Sequence, residues 1–437
     1  EDPEQAGRFR FTVSDTMSFK PAPAAPADAP LATVSYRLTV TDGDGESVEE
    51  TMTLSLYGNT PPVAPEPTGP MAGAPGMEYI LENPSEGIEL MGNDFSDPAD
   101  GDGFHQSSWR IRRYDRPEAT VELAPDSIDG TSTLISDGLF PGLKYAWSVI
   151  YEDDRGQESP GSSEATFVAG ELESHSLSFA GGSTPAHWKM VSFTHWPVRP
   201  AAEDVFFGGI EGFDAIIHTI AVYDTEMGVY RYVGQEELII EPGRCYWFFT
   251  RERMDMAFDG VPVSQSHEME VGLRYSDAEG GWNMIAPPND TSYDWAEVLV
   301  VQYDAEGQVI FGPTAIGDLS EDNPYIDKRL WAFTGDLDTA YSAALVMDSE
   351  KGYWAAARQG GVYLRFPADQ TSSEPVYETN LLREAGQWLA DRLPDVSTVH
   401  AGSDGPPAPP VIGGGVSTES SGSGGAAGGC FITDMMN

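Results

Sequence analysis

The stretch from Leu139 to Phe167, LFPGLKYAWSVIYEDDRGQESPGSSEATF, carries the pattern that decides the fold. Residues 146–151 alternate in the manner of a half-buried β-strand. Gly156 and Ser159 follow where a hairpin would turn, before apolar residues resume. Short alternating strands joined by such turns predict antiparallel sheets, and therefore an all-β domain.

The residues around this strand resemble a fibronectin type III domain, and the resemblance covers residues 66–170 of a domain that we place at 60–170. It implies that Tyr145 forms a tyrosine corner, in which the hydroxyl group ties the preceding loop to the strand. It also implies that Trp109, in the run DGFHQSSWRIRR, is the core tryptophan of the sandwich. The loop before the strand would be formed by Leu139, Pro141, Gly142 and Leu143.

Residues 1–59 precede a proline-rich linker and show a second hairpin pattern. Residues 32–41 and 50–57 alternate on either side of an Asp-Gly-Asp-Gly turn. The run TVTDGDGESVEETMTLSL resembles the last hairpin of the PKD-like and cadherin-like repeats of bacterial surface proteins, which implies a truncated immunoglobulin-like repeat. Because the chain begins at Glu1 without the earlier strands, we expect either a removed leader or a fragment of a longer protein.

Residues 171–367 contain an internal duplication, whose halves are predicted at about 171–275 and 276–367. The sequence Trp188-Lys-Met recurs as Trp282-Asn-Met after 94 residues (282 − 188 = 94). A motif repeated at this spacing predicts two supersecondary units that bury each other's faces.

Two further anchors recur in the same order. Tyr246-Trp247 matches Tyr353-Trp354 after 107 residues (353 − 246 = 107). Between the anchors, residues 220–224 match 330–334 better than a competing match at Tyr303, because the distance to the Tyr-Trp pair is better kept. The phrases GWNMIAPPN, YDWAEVLV and GYW resemble a glycine-tryptophan-asparagine repeat of large secreted bacterial surface proteins.

The C-terminal part is predicted to be a linker with a short helix (368–399), followed by a Gly/Ser-rich tail (400–437). Apolar residues at helical spacing predict the helix at 378–393. The tail has too few large apolar side chains to offset the entropy of ordering, so we expect it to be disordered. It ends in Cys430-Phe-Ile, which resembles the CFI-box tail of exported bacterial proteins. The resemblance implies that Cys430 is a processing or attachment point; a frayed end without a role is the alternative.

Composition limits the partners and the location. Lys and Arg number 24 against 70 Asp and Glu, a net charge of −46, which disfavours nucleic acid and anionic membrane surfaces. Hydrophobic residues make up 40% of the chain, enough for packed cores, but no run is long enough to span a membrane. The two cysteines, Cys245 and Cys430, exclude a disulfide framework. These features favour an exported, extracellular bacterial protein.

An acidic loop is the candidate metal site. Four carboxylates lie within nine glycine-punctuated residues, and Ca²⁺ takes its oxygen ligands from flexible loops of this kind. The alternative is an acidic solvated turn that binds no ion. No other cofactor is predicted. The candidate calcium ligands are Asp94, Asp97, Asp100 and Asp102.

The tryptophans have two interpretations. Most have apolar neighbours or repeat-equivalent positions, which predicts a core role. Trp196 and Trp295 lie near proline-rich or acidic loops, and are the candidates for exposed indoles that stack on sugar rings. No HExxH or GxSxG motif occurs, and Cys245 is predicted to be a buried, inert thiol. We therefore expect no catalytic residues and no enzyme.

The sequence as a whole predicts a multi-domain string of immunoglobulin-like and fibronectin-like sandwiches, then a duplicated β-domain, one short C-terminal helix and a disordered tail. The predicted function is that of a non-enzymatic cell-surface or adhesion-type protein, in which spacer domains present the duplicated domain to a glycan or another surface component. Two alternatives remain open: a carbohydrate-binding accessory region of a larger exported enzyme, and a structural surface-layer or filament subunit. The ligand and the oligomeric state stay open.

Overall fold

A computed structural model of the chain shows an all-β protein. Among the residues that it describes, the one α-helix is α1 (Ala202–Phe207), and strands make up nearly all other regular structure. The helix predicted at 378–393 and most of the predicted tail lie outside the described residues. Residues 406–410 of that tail are described, and two of them accept hydrogen bonds from tyrosine side chains, so the expectation of a disordered tail is wrong for this segment. Those described are 10–19, 32–41, 45–56, 60–70, 76–97, 103–116, 130–135, 137–208, 213–214, 217–278, 280–336, 340–368 and 406–410.

The N-terminal segment forms a three-stranded antiparallel sheet in which each strand pairs with the next. Its strands are β1 (Arg10–Phe19), β2 (Ala32–Thr41) and β3 (Ser47–Leu56). The hairpin predicted from the alternating runs is confirmed, since β2 and β3 pair in continuous register from Thr41–Ser47 to Ala32–Leu56.

The second unit is a fibronectin-like or immunoglobulin-like sandwich of two sheets. One sheet has the order β4-β6-β8, with β4 (Pro67–Gly69), β6 (Ile88–Gly92) and β8 (Ser132–Ile135). The other has the order β5-β10-β9-β7, with β5 (Tyr79–Leu81), β7 (Phe104–Arg113), β9 (Leu143–Asp153) and β10 (Ala165–Ala169). Trp109 of β7 and Trp147 of β9 lie between the sheets with ring centroids 5.6 Å apart.

The first repeat is a sandwich of a three-stranded outer sheet and a four-stranded inner sheet. The outer sheet has the order β11-β17-β13, with β11 (Glu173–Phe179), β13 (His195–Pro197) and β17 (Met254–Pro262). The inner sheet has the order β12-β16-β14-β15, with β12 (Lys189–Ser192), β14 (His218–Asp224), β15 (Val229–Tyr232) and β16 (Cys245–Thr250). Helix α1 packs against β17.

The second repeat has the same plan. Its outer sheet has the order β18-β27-β21-β22, with β18 (Met269–Gly272), β21 (Leu299–Tyr303), β22 (Val309–Ala315) and β27 (Val362–Phe366). Its inner sheet has the order β19-β26-β23-β24, with β19 (Trp282–Ile285), β23 (Leu330–Phe333), β24 (Tyr341–Ala344) and β26 (Tyr353–Ala356). A small ladder joins β20 (Tyr293–Asp294) to β25 (Val346–Met347).

The inner sheets of the two repeats have equivalent strand orders and equivalent registers. Met190 lies opposite Trp247 in the first repeat, and Met284 lies opposite Trp354 in the second. Strand β23, which contains Trp331, has the position of β14, so the preferred alignment of 220–224 with 330–334 is confirmed. Strand β18 pairs within the second repeat, which therefore begins by residue 269 and not at about residue 276.

The repeats differ from the second unit in one connection. There the strand after the tyrosine-corner strand, β10, pairs with β9 in the same sheet. In the repeats, β17 follows β16 and β27 follows β26, but each crosses to the outer sheet. The repeats are therefore β-sandwiches with a topology of their own.

A tyrosine corner occurs in all three sandwiches. The hydroxyl of Tyr145 accepts the backbone N–H of Phe140, five residues earlier, at 2.9 Å. Tyr246 accepts the N–H of Glu241 at 2.9 Å, and Tyr353 that of Asp348 at 2.8 Å. The residue three positions before each tyrosine has a left-handed backbone: Gly142 (φ 80°), Gly243 (φ 82°) and Glu350 (φ 61°). The corner predicted at Tyr145 is thus confirmed.

The second unit and the first repeat share part of one core. Trp196 of β13 inserts among the core residues of the sandwich, and its indole N–H donates to the carbonyl of Gly142 at 3.2 Å. Trp196 is 5% exposed and Trp295 is 4% exposed. The expectation that these two indoles are exposed is therefore wrong, because Trp196 fills the junction and Trp295 fills the core of the second repeat.

Candidate peptide groove between the repeats

The two repeats pair with each other through matching backbone contacts. The N–H of Ser192 donates to the carbonyl of Glu350 at 3.3 Å, and the N–H of Ala286 donates to that of Gly243 at 3.0 Å. These two bonds are equivalent, because 192 + 94 = 286 and 243 + 107 = 350. A self-complementary interface of this kind is what an approximate twofold axis produces.

The inner sheets face each other across this axis and enclose an aromatic core. Along β16, Tyr246 and Phe248 point into the core of their own repeat, whereas Cys245 and Trp247 point towards the other repeat. Both faces of the strand are thus covered, which explains its unbroken apolar sequence. The aromatic contacts across the interface include Trp247–Phe333 and Tyr223–Trp354, with ring centroids 4.9 and 5.4 Å apart.

A short proline-rich segment from far along the chain crosses this interface. We call Pro406–Pro410, with the sequence Pro-Pro-Ala-Pro-Pro, the strap. The hydroxyl of Tyr341 donates to the carbonyl of Pro407 at 2.5 Å, and the hydroxyl of Tyr230 donates to that of Ala408 at 2.7 Å. Each repeat therefore contributes one donor to two successive carbonyls of the strap.

The two tyrosines occupy equivalent edges of the inner sheets. Tyr230 lies in the edge strand β15 and packs edge-on against Tyr223 at 5.3 Å. Tyr341 lies in the edge strand β24 and packs against Phe333 at 6.0 Å. We call the surface formed by these four side chains the groove.

The sequence of the strap fixes its conformation. Each proline holds φ near −65°, and a residue that precedes proline is pushed into the extended region. Three of the five strap residues precede a proline, which favours a polyproline II conformation, whose backbone carbonyls are free to accept hydrogen bonds. Pro406 and Pro410 are buried, whereas Ala408 between them is exposed.

Both hydroxyl groups are held in the protonated form. Burial raises the pKa of Tyr230 well above its usual value of 10, and the neighbouring Tyr341 raises it further. Burial likewise raises the pKa of Tyr341. The indole of Trp247 lowers the pKa of Tyr230, and the indole of Trp354 lowers that of Tyr341. These matching effects are a further sign of the symmetry. The groove therefore offers hydrogen-bond donors at any physiological pH.

The candidate calcium loop is only half described. Asp94 and Asp97 lie between β6 and β7, and Asp97 is buried, but Asp100 and Asp102 lie outside the described residues. Burial, assisted by the charge of Asp94, raises the pKa of the adjacent Tyr151 to about 12. Within the described ranges no group of three or more His, Cys, Asp or Glu could hold a metal ion. Calcium binding at this loop stays a prediction.

The predictions for the two cysteines have different outcomes. Cys245 is buried between the repeats, its thiol lies 3.8 Å from the carbonyl of Tyr353, and burial raises its pKa. The expectation of a buried thiol is confirmed. Cys430 lies outside the described residues, so its role as a processing or attachment point stays a prediction.

Sequence reasoning missed the groove, although two signals were present. Pro-Gly-x-x-Tyr occurs at both 141–145 and 242–246, which could have identified the corner at Tyr246 from the one at Tyr145. Tyr230 and Tyr341 each follow an aromatic strand. That both bind the strap could not be read from the sequence, because the strap lies more than 60 residues after Tyr341.

Comparisons with known proteins identify no family for this chain. No protein-family model matches the chain, and no curated protein matches it by sequence. Solved structures with some similarity include the FN1–FN3 domains of chicken CNTN1, with 12% identity, a TM-score of 0.17, and coverage of 70% of this chain and 99% of that one.

Two further solved structures are similar at the same low level. One is a Ca²⁺-stabilised adhesin with which an Antarctic bacterium binds ice (8% identity, TM-score 0.18, 74% of this chain and 73% of that one). The other is Bacteroides ovatus SGBP-B in complex with a mixed-linkage heptasaccharide (9% identity, TM-score 0.12, 81% and 88%). Nothing about the partners of this chain follows from likenesses of this size. In the described part of the chain, no helix has the length and apolar character needed to cross a membrane.

Proposed function

We propose that this chain is a non-enzymatic, exported bacterial surface protein of the adhesion type, in which the repeat pair is the binding unit. The second unit and the N-terminal sheet act as spacers, and the net charge of −46 keeps the protein soluble. Calcium at the 94–102 loop would act on stability alone.

One observation carries the proposal. Two repeats of equivalent structure place a tyrosine hydroxyl each at their shared edge, and together these hydroxyls hold an extended segment of chain. We interpret this convergence of both halves of a duplicated domain on one extended segment as a binding surface. It explains why the duplicated domain is a pair and not a single sandwich.

The test measures binding to cells of the source organism. The intact chain and the double variant Tyr230→Phe/Tyr341→Phe are labelled and bound to these cells, with Tyr325→Phe as the control. Tyr325 stacks on Phe311 at 3.7 Å and packs against the second repeat's own core, and not against the aromatic core between the repeats. We expect saturable binding of the intact chain. The affinity for the cells should change in the double variant and stay the same in the control.

Other outcomes would favour the alternatives. Binding to a glycan array that is insensitive to the tyrosine variants would favour a carbohydrate-binding accessory region. Growth in particle size with concentration, measured by light scattering, would favour a structural subunit. Unchanged surface retention of Cys430→Ser in the host would remove the proposed attachment role of that residue.

A further inference from the structure

We propose that the groove is a receptor for polyproline II segments, and that the strap is its built-in ligand, which a proline-rich segment of another molecule displaces. This inference rests on the proposed function and names the class of partner that the same site would bind. The partner is defined by its chemistry: an extended segment of the type Pro-Pro-x-Pro-Pro.

The hydrogen-bonding chemistry of the groove matches such a segment. The described contacts with the strap are both donated by tyrosine hydroxyls and accepted by backbone carbonyls. A proline-rich chain suits this arrangement because proline has no backbone N–H to satisfy but keeps its carbonyl. An ordinary extended peptide would bring N–H groups for which these two contacts offer no acceptor.

The geometry of the polyproline II helix suits donors on two walls. This helix has three residues per turn, so successive carbonyls point about 120° apart. The carbonyls of Pro407 and Ala408 are successive, and their donors come from different repeats. One hydroxyl on each side of the axis can therefore donate to carbonyls that point in different directions. The hydroxyl of a single repeat could not reach both.

The pattern of burial defines the motif. Pro406 and Pro410 at the ends of the strap are buried, and the central Ala408 is exposed. We therefore expect the outer prolines to be required and the central side chain to be variable. The groove is lined by aromatic side chains, the kind of surface on which other domains bind polyproline II segments.

Competition with the strap sets the affinity for an external ligand. A segment of the same chain has an effective concentration on the order of millimolar, so it occupies the groove unless the external segment is abundant or multivalent. Removal of the strap should unmask the site. The net charge of −46 further favours partners that are neutral or basic over acidic ones.

The experiment uses the full chain with the strap changed to Ser-Gly-Ser-Gly-Ser, and a fluorescein-labelled peptide with the sequence of residues 405–411, GPPAPPV. Fluorescence anisotropy should show saturable binding to the strap-free chain, and at least about tenfold weaker binding to the intact chain. Adding Tyr230→Phe and Tyr341→Phe should weaken binding about tenfold or more, because each removes one hydrogen bond. Tyr325→Phe should leave it unchanged.

Two controls keep the result interpretable. A peptide in which the four prolines are replaced by alanine should not bind, and one with lysine in place of the central alanine should bind as the original does. Equal binding of the alanine peptide, or binding that ignores both tyrosine variants, would overturn the proposal. If no peptide binds while cells are still bound as in the preceding test, the inference is wrong and the proposed function stands.

Discussion

Three single hydroxyl groups, those of Tyr145, Tyr246 and Tyr353, tie a loop to the start of the strand that follows it. In two of the corners the hydroxyl also donates to a carbonyl seven residues earlier: Tyr246 to Ile239 at 2.7 Å, and Tyr145 more weakly to Gly138 at 3.5 Å. Glycine stands at the left-handed position in two of the corners, and Glu350 takes it in the third, where an L side chain is strained. The tyrosine corner is therefore a local structural motif that three different sandwiches share.

Tyr246→Phe should destabilise the protein by about 1–3 kcal/mol. It leaves the N–H of Glu241 and the carbonyl of Ile239 without their shared partner, while the ring still fills its place in the core. Chemical denaturation of the variant measures the loss, and Tyr325→Phe is the matched control. A variant as stable as the control would show that the corner contributes nothing.

His195 should make the stability depend on pH. Burial and the neighbouring His175 lower the pKa of His195 to about 4, although Asp290 acts in the opposite direction. A histidine whose pKa is lower in the folded state than its usual 6.5 contributes stability at neutral pH that is lost as the pH falls from 6.5 towards 4. The intact chain should therefore lose stability relative to His195→Gln over this window and not above pH 7. Thermal melts of both proteins across pH 4–8 test this, and a constant difference would contradict it.

The inner sheets are the elements that join the repeats. Their corner strands are apolar on both faces, since one face covers its own sandwich and the other covers the opposite repeat. Trp247 and Trp354 are fully buried there, whereas Trp282, which the sequence predicted as core, is only half-buried. Both duplicated motifs therefore support the interface, since Trp188, Met190 and Met284 are buried in the same cluster as the two Tyr-Trp tryptophans.

Gly352→Ala should separate the inner sheets. A Cβ at this position would collide with the side chains of Cys245 and Met190 in the first repeat, and the N–H of Gly352 donates to the carbonyl of Met190. Overpacking of this kind costs about 1–3 kcal/mol. Gly360→Ala is the control, because nothing lies within 4 Å of the Cβ it would add. Equal melting temperatures for the two variants would argue against tight contact between the repeats.

On the scale of the whole molecule, the second unit and the repeats are joined by a shared core and a charged network. Glu270 is buried, and it accepts hydrogen bonds from Tyr303 at 2.8 Å and from Arg365 at 2.7 Å. Arg116 of the second unit approaches the same carboxylate at 3.6 Å. These contacts join units that the sequence predicted as successive domains of a string.

Trp196→Ala should uncouple these modules. It removes an indole from the shared core and its hydrogen bond to Gly142, at a cost of about 3–5 kcal/mol. Trp295→Ala removes an equally buried indole from within the second repeat and should cost a similar amount. Calorimetry should show two separated transitions only for Trp196→Ala. A single transition in both variants would mean that Trp196 does not couple the units.

The sequence by itself determined the fold class, the duplication and the position of the first tyrosine corner. These depend on short-range features: alternation along Ala32–Thr41 and β9, recurrence of Trp-x-Met and Tyr-Trp, and a Pro-Gly turn before Tyr145. Only the tertiary structure decided the burial of Trp196 and Trp295 and the meeting of Tyr230, Tyr341 and the strap. Burial and hydrogen bonding between residues far apart in sequence depend on how whole sheets pack, and no local pattern encodes that packing.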